Sequence, residues 1–193
     1  MISAKDIEHA LSRPAPAASS DYDYAPSLRA NPQTLRKAAV LIALHETQRG
    51  LEVILTRRAA HLRNHPGQVA FPGGKVEESD AGFWGAAVRE ADEEIGLANV
   101  QKIGVLQGHE SVTGFEISPQ VGLVDGRFSP RPDPSEVEEV FSVPLDFLMN
   151  PVNMRLHQRS WHGHMRGYLA IPYGPHYIWG ASARMIKNLA ERL

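Results

Sequence analysis

The sequence has no cysteine among its 193 residues, and this absence removes several kinds of chemistry. Disulfide bonds, thiolate metal sites and cysteine nucleophiles are all excluded. The chain also lacks an apolar run long enough to cross a bilayer, and no segment is typical of a signal peptide. The formal net charge is only −2, so no excess of positive charge favours nucleic-acid binding. We therefore expect a cytoplasmic protein that binds neither membranes nor nucleic acids.

A chain of this length is suited to one main domain with a sizeable core. Apolar periodicity predicts helices at residues 2–13, 80–95 and 181–193, and strands at 38–44, 51–56, 68–71, 102–108, 120–124, 137–143, 167–171 and 177–179. Strands flanked by helices without regular βαβ alternation favour an α/β/α sandwich around a mixed sheet, within the α/β (α+β) class. Pro, Ala and Ser dominate residues 14–32. We predict an N-terminal helix and strap at 1–34 and the main domain at 35–193.

The predicted helix 80–95 has an acidic edge that its own stability does not explain. Glu90, Glu93 and Glu94 follow the i, i+3, i+4 spacing and share one narrow arc, on which Ala86 leaves open space one turn earlier. Like charges at this spacing destabilise a helix by about 0.2–0.5 kcal/mol per pair. Such a triplet alone is more often a solvated edge. A separate apolar stripe is predicted to pack on the sheet: Trp84, Ala87, Val88, Ala91 and Ile95.

The segment before this helix favours a metal–phosphate site instead. Gly73 and Gly74 can adopt conformations closed to other residues and let a ligand or metal approach closely. Ser79 or Asp80 is predicted to cap the helix. Carboxylate oxygens and substrate phosphates are what Mg²⁺ takes as ligands in such sites.

Together these residues resemble the Nudix box, the strand–loop–helix signature of hydrolases that cleave a nucleoside diphosphate linked to another group. The pattern runs from Gly74 through Asp80 to Arg89-Glu90 and Glu93-Glu94. The spacing before Arg89 is one residue longer than in the general box, and the early acidic position is Asp80 rather than glutamate. The longer spacing and the upstream segment 54–74 resemble the coenzyme A (CoA) pyrophosphatase subgroup.

The resemblance implies roles for the residues of the box. Glu90, Glu94 and Glu93 would bind Mg²⁺ or Mn²⁺, with the Gly74 carbonyl as a further ligand. Arg89 would brace the glutamates through charge-assisted hydrogen bonds. Nudix enzymes often draw a general base or an extra metal ligand from a later segment, and Glu139 and Glu136 are the candidates here, against a solvated strand edge.

The same resemblance implies a substrate of the CoA type, which carries a diphosphate and a 3′-phosphate. Arg58 is the first candidate for binding a phosphate, followed by Arg63 and Arg57, although each could equally be a solvated loop residue. Gly73 and the loop residues Ser111 and Thr113 are expected beside the substrate, and the two hydroxyls could equally form turns. Four aromatic residues could stack on adenine but are more often core: Trp161, Tyr168, Tyr173 and Trp179.

Three functions remain open from the sequence. The leading one is metal-dependent hydrolysis of CoA or acyl-CoA to 4′-phosphopantetheine (or its acyl form) and adenosine 3′,5′-bisphosphate. The second is hydrolysis of another dinucleotide, such as NADH or ADP-ribose. The third is a non-catalytic ligand sensor, although such proteins usually lose residues of the box, all of which stand here. A homodimer is possible, and the partner otherwise expected is the small nucleotide substrate.

Overall fold

Two parallel strands form the centre of the fold: β2 (Arg36–Thr47) and β8 (Phe115–Val124). The computed structural model describes residues 2–24, 26, 34–161 and 164–193. Within that part of the chain, nine strands form one mixed sheet whose main path is β1-β7-β8-β2-β3-β4. Strand β5 also pairs with β2, β6 with β8, and β9 with β3. Strands β10, β11 and β12 form a second, antiparallel sheet.

The other elements follow in chain order. The remaining strands are β1 (Ser19–Ser20), β3 (Gly50–Arg58), β4 (Val69–Ala70), β5 (Gly73–Lys75), β6 (Val100–Val105), β7 (His109–Glu110), β9 (Val137–Pro144), β10 (Arg155–Trp161), β11 (His164–Tyr173) and β12 (His176–Trp179). The helices are α1 (Ala4–Ser12), α2 (Gly82–Ile95), α3 (Leu145–Met149) and α4 (Ala181–Ala190), with a 3₁₀ turn at Pro151–Asn153. No helix in these described ranges is long and apolar enough to span a membrane.

Alternate side chains of β2 point to opposite faces of the sheet, and each face is covered by helices. Leu41 and its neighbours on one face pack against Ala87, Ala91 and Ile95 of α2. Ile42 on the other face belongs to the cluster that α1, α3 and α4 cover. The predicted α/β/α sandwich around a mixed sheet is confirmed.

The N-terminal segment is built into this sandwich. Ile7 of α1 is fully buried in the core. The buried Arg192 side chain donates hydrogen bonds to the carbonyls of Ala10 (2.6 Å) and Arg13 (2.7 Å) at the C-terminal end of α1. Ser19 of β1 accepts a hydrogen bond from Asn188 of α4 at 2.8 Å. Within the predicted strap at 14–32, residues 14–18 are exposed, Ser19 and Ser20 are buried, and Tyr24 packs against the core. Residues 25 and 27–33 lie outside the described part.

Several local predictions are corrected by the structure. Helix α2 begins at Gly82, and its N-cap is Ala81 with no side-chain hydrogen bond, so neither Ser79 nor Asp80 caps it. Ala86 leaves no open space, because it is fully buried against the sheet. The glycine pair, predicted as part of a loop, forms β5 by pairing with Ala39 and Val40 of β2. The polar segment 150–164 is predicted to be an irregular hairpin with a mobile tip. The structure has an antiparallel pair here, β10 with β11, but β10 is a regular strand preceded by a 3₁₀ turn, and the tip at 162–163 lies outside the described residues.

Candidate active site

A cavity of about 620 Å³ opens beside the glycine pair. Its walls come from the N-terminal segment, β2, the β3–α2 region, the loop 111–115 with the start of β8, the second sheet, and the start of α4. Six residues predicted for the site line it: Arg58, Gly73, Gly74, Glu94, Ser111 and Thr113. The structure thus brings together residues that lie up to 55 positions apart, since Arg58 and Thr113 meet at one cavity.

Glycine is needed at positions 73 and 74 because the Ala39 backbone and the Glu90 carboxylate leave no room for a side chain there. A Cβ atom on Gly73, whose φ is 154°, would lie 2.3 Å from the Ala39 carbonyl oxygen. A Cβ atom on Gly74 would lie 2.3–2.6 Å from the carboxylate atoms of Glu90. The Glu90 carboxylate therefore occupies the space that any other residue at position 74 would fill.

Glu94 is a buried carboxylate among other negative charges. It is 4% exposed. Burial raises its pKa to about 8, the charges of Glu90 and Glu136 add to the increase, and the Arg58 guanidinium and the Gly73 N–H oppose it. The pKa of Glu90 is also raised, by burial first, against the opposing charge of Arg89. A carboxylate in such surroundings needs a compensating positive charge to ionise fully.

Arg89 holds the acidic cluster together from the outer side of α2. Its Nε and Nη2 donate to the two carboxylate oxygens of Asp80 at 2.9 and 3.1 Å. Its Nη1 donates to Glu90 at 3.1 Å and to Glu93 at 2.9 Å. Its Nη2 also donates to the Lys75 carbonyl at 3.1 Å, which ties α2 to β5. Asp80 therefore orients Arg89 instead of capping the helix, and this accounts for an acidic residue at that position.

Known proteins are similar to this chain over most of its length. The family model of the NUDIX domain matches residues 35–164. The Uncharacterized Nudix hydrolase NudL of Enterobacter sp. (strain 638) is 42% identical over 166 residues, covering 82% of this chain and 83% of its own length. The chain belongs to the Nudix family. The Uncharacterized Nudix hydrolase NudL of Pectobacterium atrosepticum is 41% identical over 174 residues, covering 87% and 88% of the two chains.

A NUDIX hydrolase structure from Alicyclobacillus acidocaldarius is similar to 64% of this chain, and the match covers 84% of that chain, with 21% identity and a TM-score of 0.48. Family membership makes this protein a hydrolase of the diphosphate in a nucleoside diphosphate derivative. Nudix hydrolases generally use a divalent metal ion such as Mg²⁺ or Mn²⁺.

The remaining residues predicted for the Nudix site have different surroundings. Arg57 pairs with Glu139 at 3.0 Å and with Glu138 at 3.4 Å, and Glu139 also lies 3.6 Å from His176. Neither Arg57 nor Glu139 lines the cavity, nor does the exposed Arg63. Glu136, by contrast, is close enough to raise the pKa values of both Glu90 and Glu94.

The cavity wall also contains charged residues that the sequence did not point to. Arg159 of β10 and Arg166 of β11 line the cavity, and so does Asp21 of the N-terminal segment. Tyr168 and Trp179, considered as adenine-stacking residues, line it as well. Tyr173 packs edge-on against Phe147 in the core, and the side chain of Trp161 lies outside the described part. The alternation of Arg166 and Tyr168 along one strand was the signal available in the sequence.

Proposed function

We propose that this Nudix hydrolase cleaves the diphosphate of CoA or acyl-CoA. The observation that carries the proposal is the shared cavity, in which Arg58 of the subgroup-like upstream segment faces the same space as Glu94 of the Nudix box. The loop residues Ser111 and Thr113, which resemble the closing segment of that subgroup, line it too. The products would be 4′-phosphopantetheine (or its acyl form) and adenosine 3′,5′-bisphosphate.

The residues present fit a divalent cation. Glu90 and Glu94 are carboxylates whose pKa values are raised by burial first and then by neighbouring carboxylates, so a cation bound beside them would favour their ionised forms. The absent side chain of Gly74 leaves room for the Glu90 carboxylate. No three His, Asp or Glu side chains within the described ranges already form a coordination sphere. Glu93 is 59% exposed and hydrogen-bonded to Arg89. Glu90 and Glu94 would therefore hold the cation, with the Gly74 carbonyl and Glu93 as further candidates.

A divalent cation in this site supplies charge neutralisation for the phosphoryl oxygens and lowers the pKa of a water nucleophile. The protein's own residues position the reactants. Arg58 has a buried Nε without a hydrogen-bond partner in the protein, so it can donate to a diphosphate oxygen beside Glu94. Arg89 keeps Glu90 oriented. Glu136 is a better candidate than Glu139 for accepting a proton from water, because Glu139 is engaged by Arg57.

The experiment is mass spectrometry of the products formed from CoA, NADH and ADP-ribose in Mg²⁺ and in Mn²⁺. The proposal requires adenosine 3′,5′-bisphosphate to appear from CoA at the highest rate. AMP from NADH or ADP-ribose, with CoA untouched, would refute the CoA assignment while leaving the Nudix reaction in place. Binding of a diphosphate compound without turnover in either metal would refute hydrolysis itself.

A further inference from the structure

Two arginines face the cavity from the second sheet, outside the Nudix box. Arg159 and Arg166 are directly opposed partners in the register of β10 and β11. Both line the cavity that Glu94 and Arg58 also line. Like charges directly opposite each other on a sheet are destabilising. Asp21 offsets part of this repulsion at Arg166, and an anion bound in the cavity would offset more of it by accepting hydrogen bonds from both guanidinium groups.

Asp21 fixes one of these arginines in position. Its Oδ2 lies 3.4 Å from the Arg166 guanidinium and accepts a hydrogen bond from the Val112 N–H at 2.9 Å. Its Oδ1 lies 3.4 Å from the buried His109 ring. Although burial would raise the pKa of Asp21, the hydrogen bond and charge of His109, the Val112 N–H and the Arg166 charge together hold it below the ordinary value. Arg166 is therefore tied to the loop that carries Ser111 and Thr113.

Aromatic rings lie beside the two arginines. Tyr168 and Trp179 line the same cavity and contact each other edge to face, with ring centroids 5.4 Å apart. The Arg159 guanidinium lies 5.9 Å from the centroid of the Trp179 ring. Aromatic and guanidinium surfaces of this kind bind a nucleotide by stacking on its base and donating hydrogen bonds to its phosphate.

The cavity thus has two cationic groups of residues with separate positions. Arg58 belongs to β3 of the main sheet and lines the cavity together with Glu94 and Gly74, so we place it beside the diphosphate. Arg159 and Arg166 belong to a different sheet. We propose that Arg159 and Arg166 form a second anion site that binds the phosphomonoester on the ribose of the substrate, which in CoA is the 3′-phosphate. This inference rests on the proposed CoA activity and assigns the 3′-phosphate to these residues rather than to Arg58.

Steady-state kinetics on CoA and 3′-dephospho-CoA test the site. Arg159→Ala and Arg166→Ala should each raise KM for CoA by about 10-fold or more, with kcat and the dephospho substrate little changed, because a charge-assisted contact to one phosphate is lost. Arg58→Ala should impair both substrates alike. The matched control is Arg155→Ala, on the same strand but exposed and outside the cavity lining. Arg166→Lys keeps the positive charge and should retain most of the difference in KM between CoA and 3′-dephospho-CoA. If Arg159→Ala and Arg166→Ala changed KM equally for both substrates, or changed neither, the proposed anion site would be wrong.

A binding measurement separates this inference from the proposed activity. Calorimetric titration with adenosine 3′,5′-bisphosphate and with AMP needs no turnover. Tighter binding of the bisphosphate by the native protein, abolished in Arg159→Ala, would support the anion site even if CoA were not hydrolysed. Hydrolysis of CoA without any such discrimination would uphold the activity and refute the site. If the variants instead impaired NADPH relative to NADH and spared CoA, the assignment to the 3′-phosphate would be wrong.

Discussion

At the scale of single residues, Glu94 is a buried carboxylate in the proposed cation site. Its carboxylate is 4% exposed and lies near the charges of Glu90 and Glu136. Glu94→Gln keeps the shape but removes the charge that would hold a cation. We expect turnover to fall more than about 100-fold, since changes even in groups that only support metal ligands cost 10–100-fold. The measurement is product formation at saturating Mg²⁺, with circular dichroism to verify the fold.

The control for Glu94→Gln is Asp92→Asn, which removes one negative charge from an exposed position of the same helix. It should leave turnover unchanged. Substantial activity in Glu94→Gln, with Asp92→Asn unaffected, would remove Glu94 from the proposed cation site.

Gly74 offers a second test at this scale, because its missing side chain leaves room for the Glu90 carboxylate. Gly74→Ala would place a Cβ atom within 2.6 Å of that carboxylate, so Glu90 must move. We expect a loss of turnover of at least about 10-fold, again measured as product formation. Gly108→Ala is the control, since its added Cβ atom would meet no heavy atom nearer than 3.6 Å. Equal activity in the two variants would contradict the tight fit between Gly74 and Glu90.

Several predicted site residues come together at the cavity, while their roles stay predictions. Glu94, Gly74 and Arg58 lie within two adjoining motifs, and all three line the cavity. Asp21 and Arg166 were not predictable in the same way, because their meeting depends on how distant segments pack. The sequence separates them by 145 positions, and the structure brings them to 3.4 Å.

At the scale of elements, α1 is held by the opposite end of the chain. The Arg192 side chain is buried and donates to the carbonyls of Ala10 and Arg13, which have no partner within the helix. Arg192→Ala should lower the free energy of unfolding by about 2–3 kcal/mol, because charged hydrogen bonds to buried carbonyls are lost. Urea denaturation measures this change. Arg127→Ala, at an exposed position, should change stability by less than about 0.5 kcal/mol. If the free energy of unfolding were the same in the two variants, the Arg192 hydrogen bonds would contribute nothing to stability.

The elements differ in how clearly their sequences indicate them. Strand β3 was predicted because its apolar residues alternate, and α2 because its apolar stripe repeats with helical period. Strand β10 was not predicted as a regular strand because neither of its faces is buried: Leu156 is exposed on one, and the exposed Arg159 lines the cavity on the other. Without a buried face, the alternation that marks a strand disappears.

At the scale of the whole molecule, the cavity depends on parts of the chain that sequence reasoning assigned to separate regions. Asp21 comes from the N-terminal segment and Arg58 from the main sheet. Glu94 comes from α2, and Arg166 comes from the second sheet. The boundary predicted at residue 35 marks where the family match begins, whereas the core extends back to Ile7.

The buried acid of the site should make the stability of the metal-free protein depend on pH. Glu94 has an ordinary pKa of 4.5 when unfolded and a pKa of about 8 in the folded protein. Between pH 4.5 and about pH 8, the Glu94 carboxyl group holds its proton more tightly in the folded protein than in the unfolded chain. Stability must therefore fall as pH rises through this window, by at most about 1.4 kcal/mol per pH unit from this group. The pKa of Asp21 is instead lowered by folding. Its contribution to the free energy of unfolding is therefore present at neutral pH and is lost only as the pH falls below its ordinary pKa of 3.8.

Chemical denaturation of the metal-free protein from pH 5 to pH 8 would measure this dependence. The native sequence should lose stability across the range, and Glu94→Gln should show a shallower slope, because the amide carries no proton to lose. Adding Mg²⁺ or Mn²⁺ at pH 8 should stabilise the native protein more than the variant, since a cation that binds only the folded state adds its binding free energy to stability. Identical slopes, together with identical metal effects, would mean that Glu94 neither titrates in this window nor binds the cation.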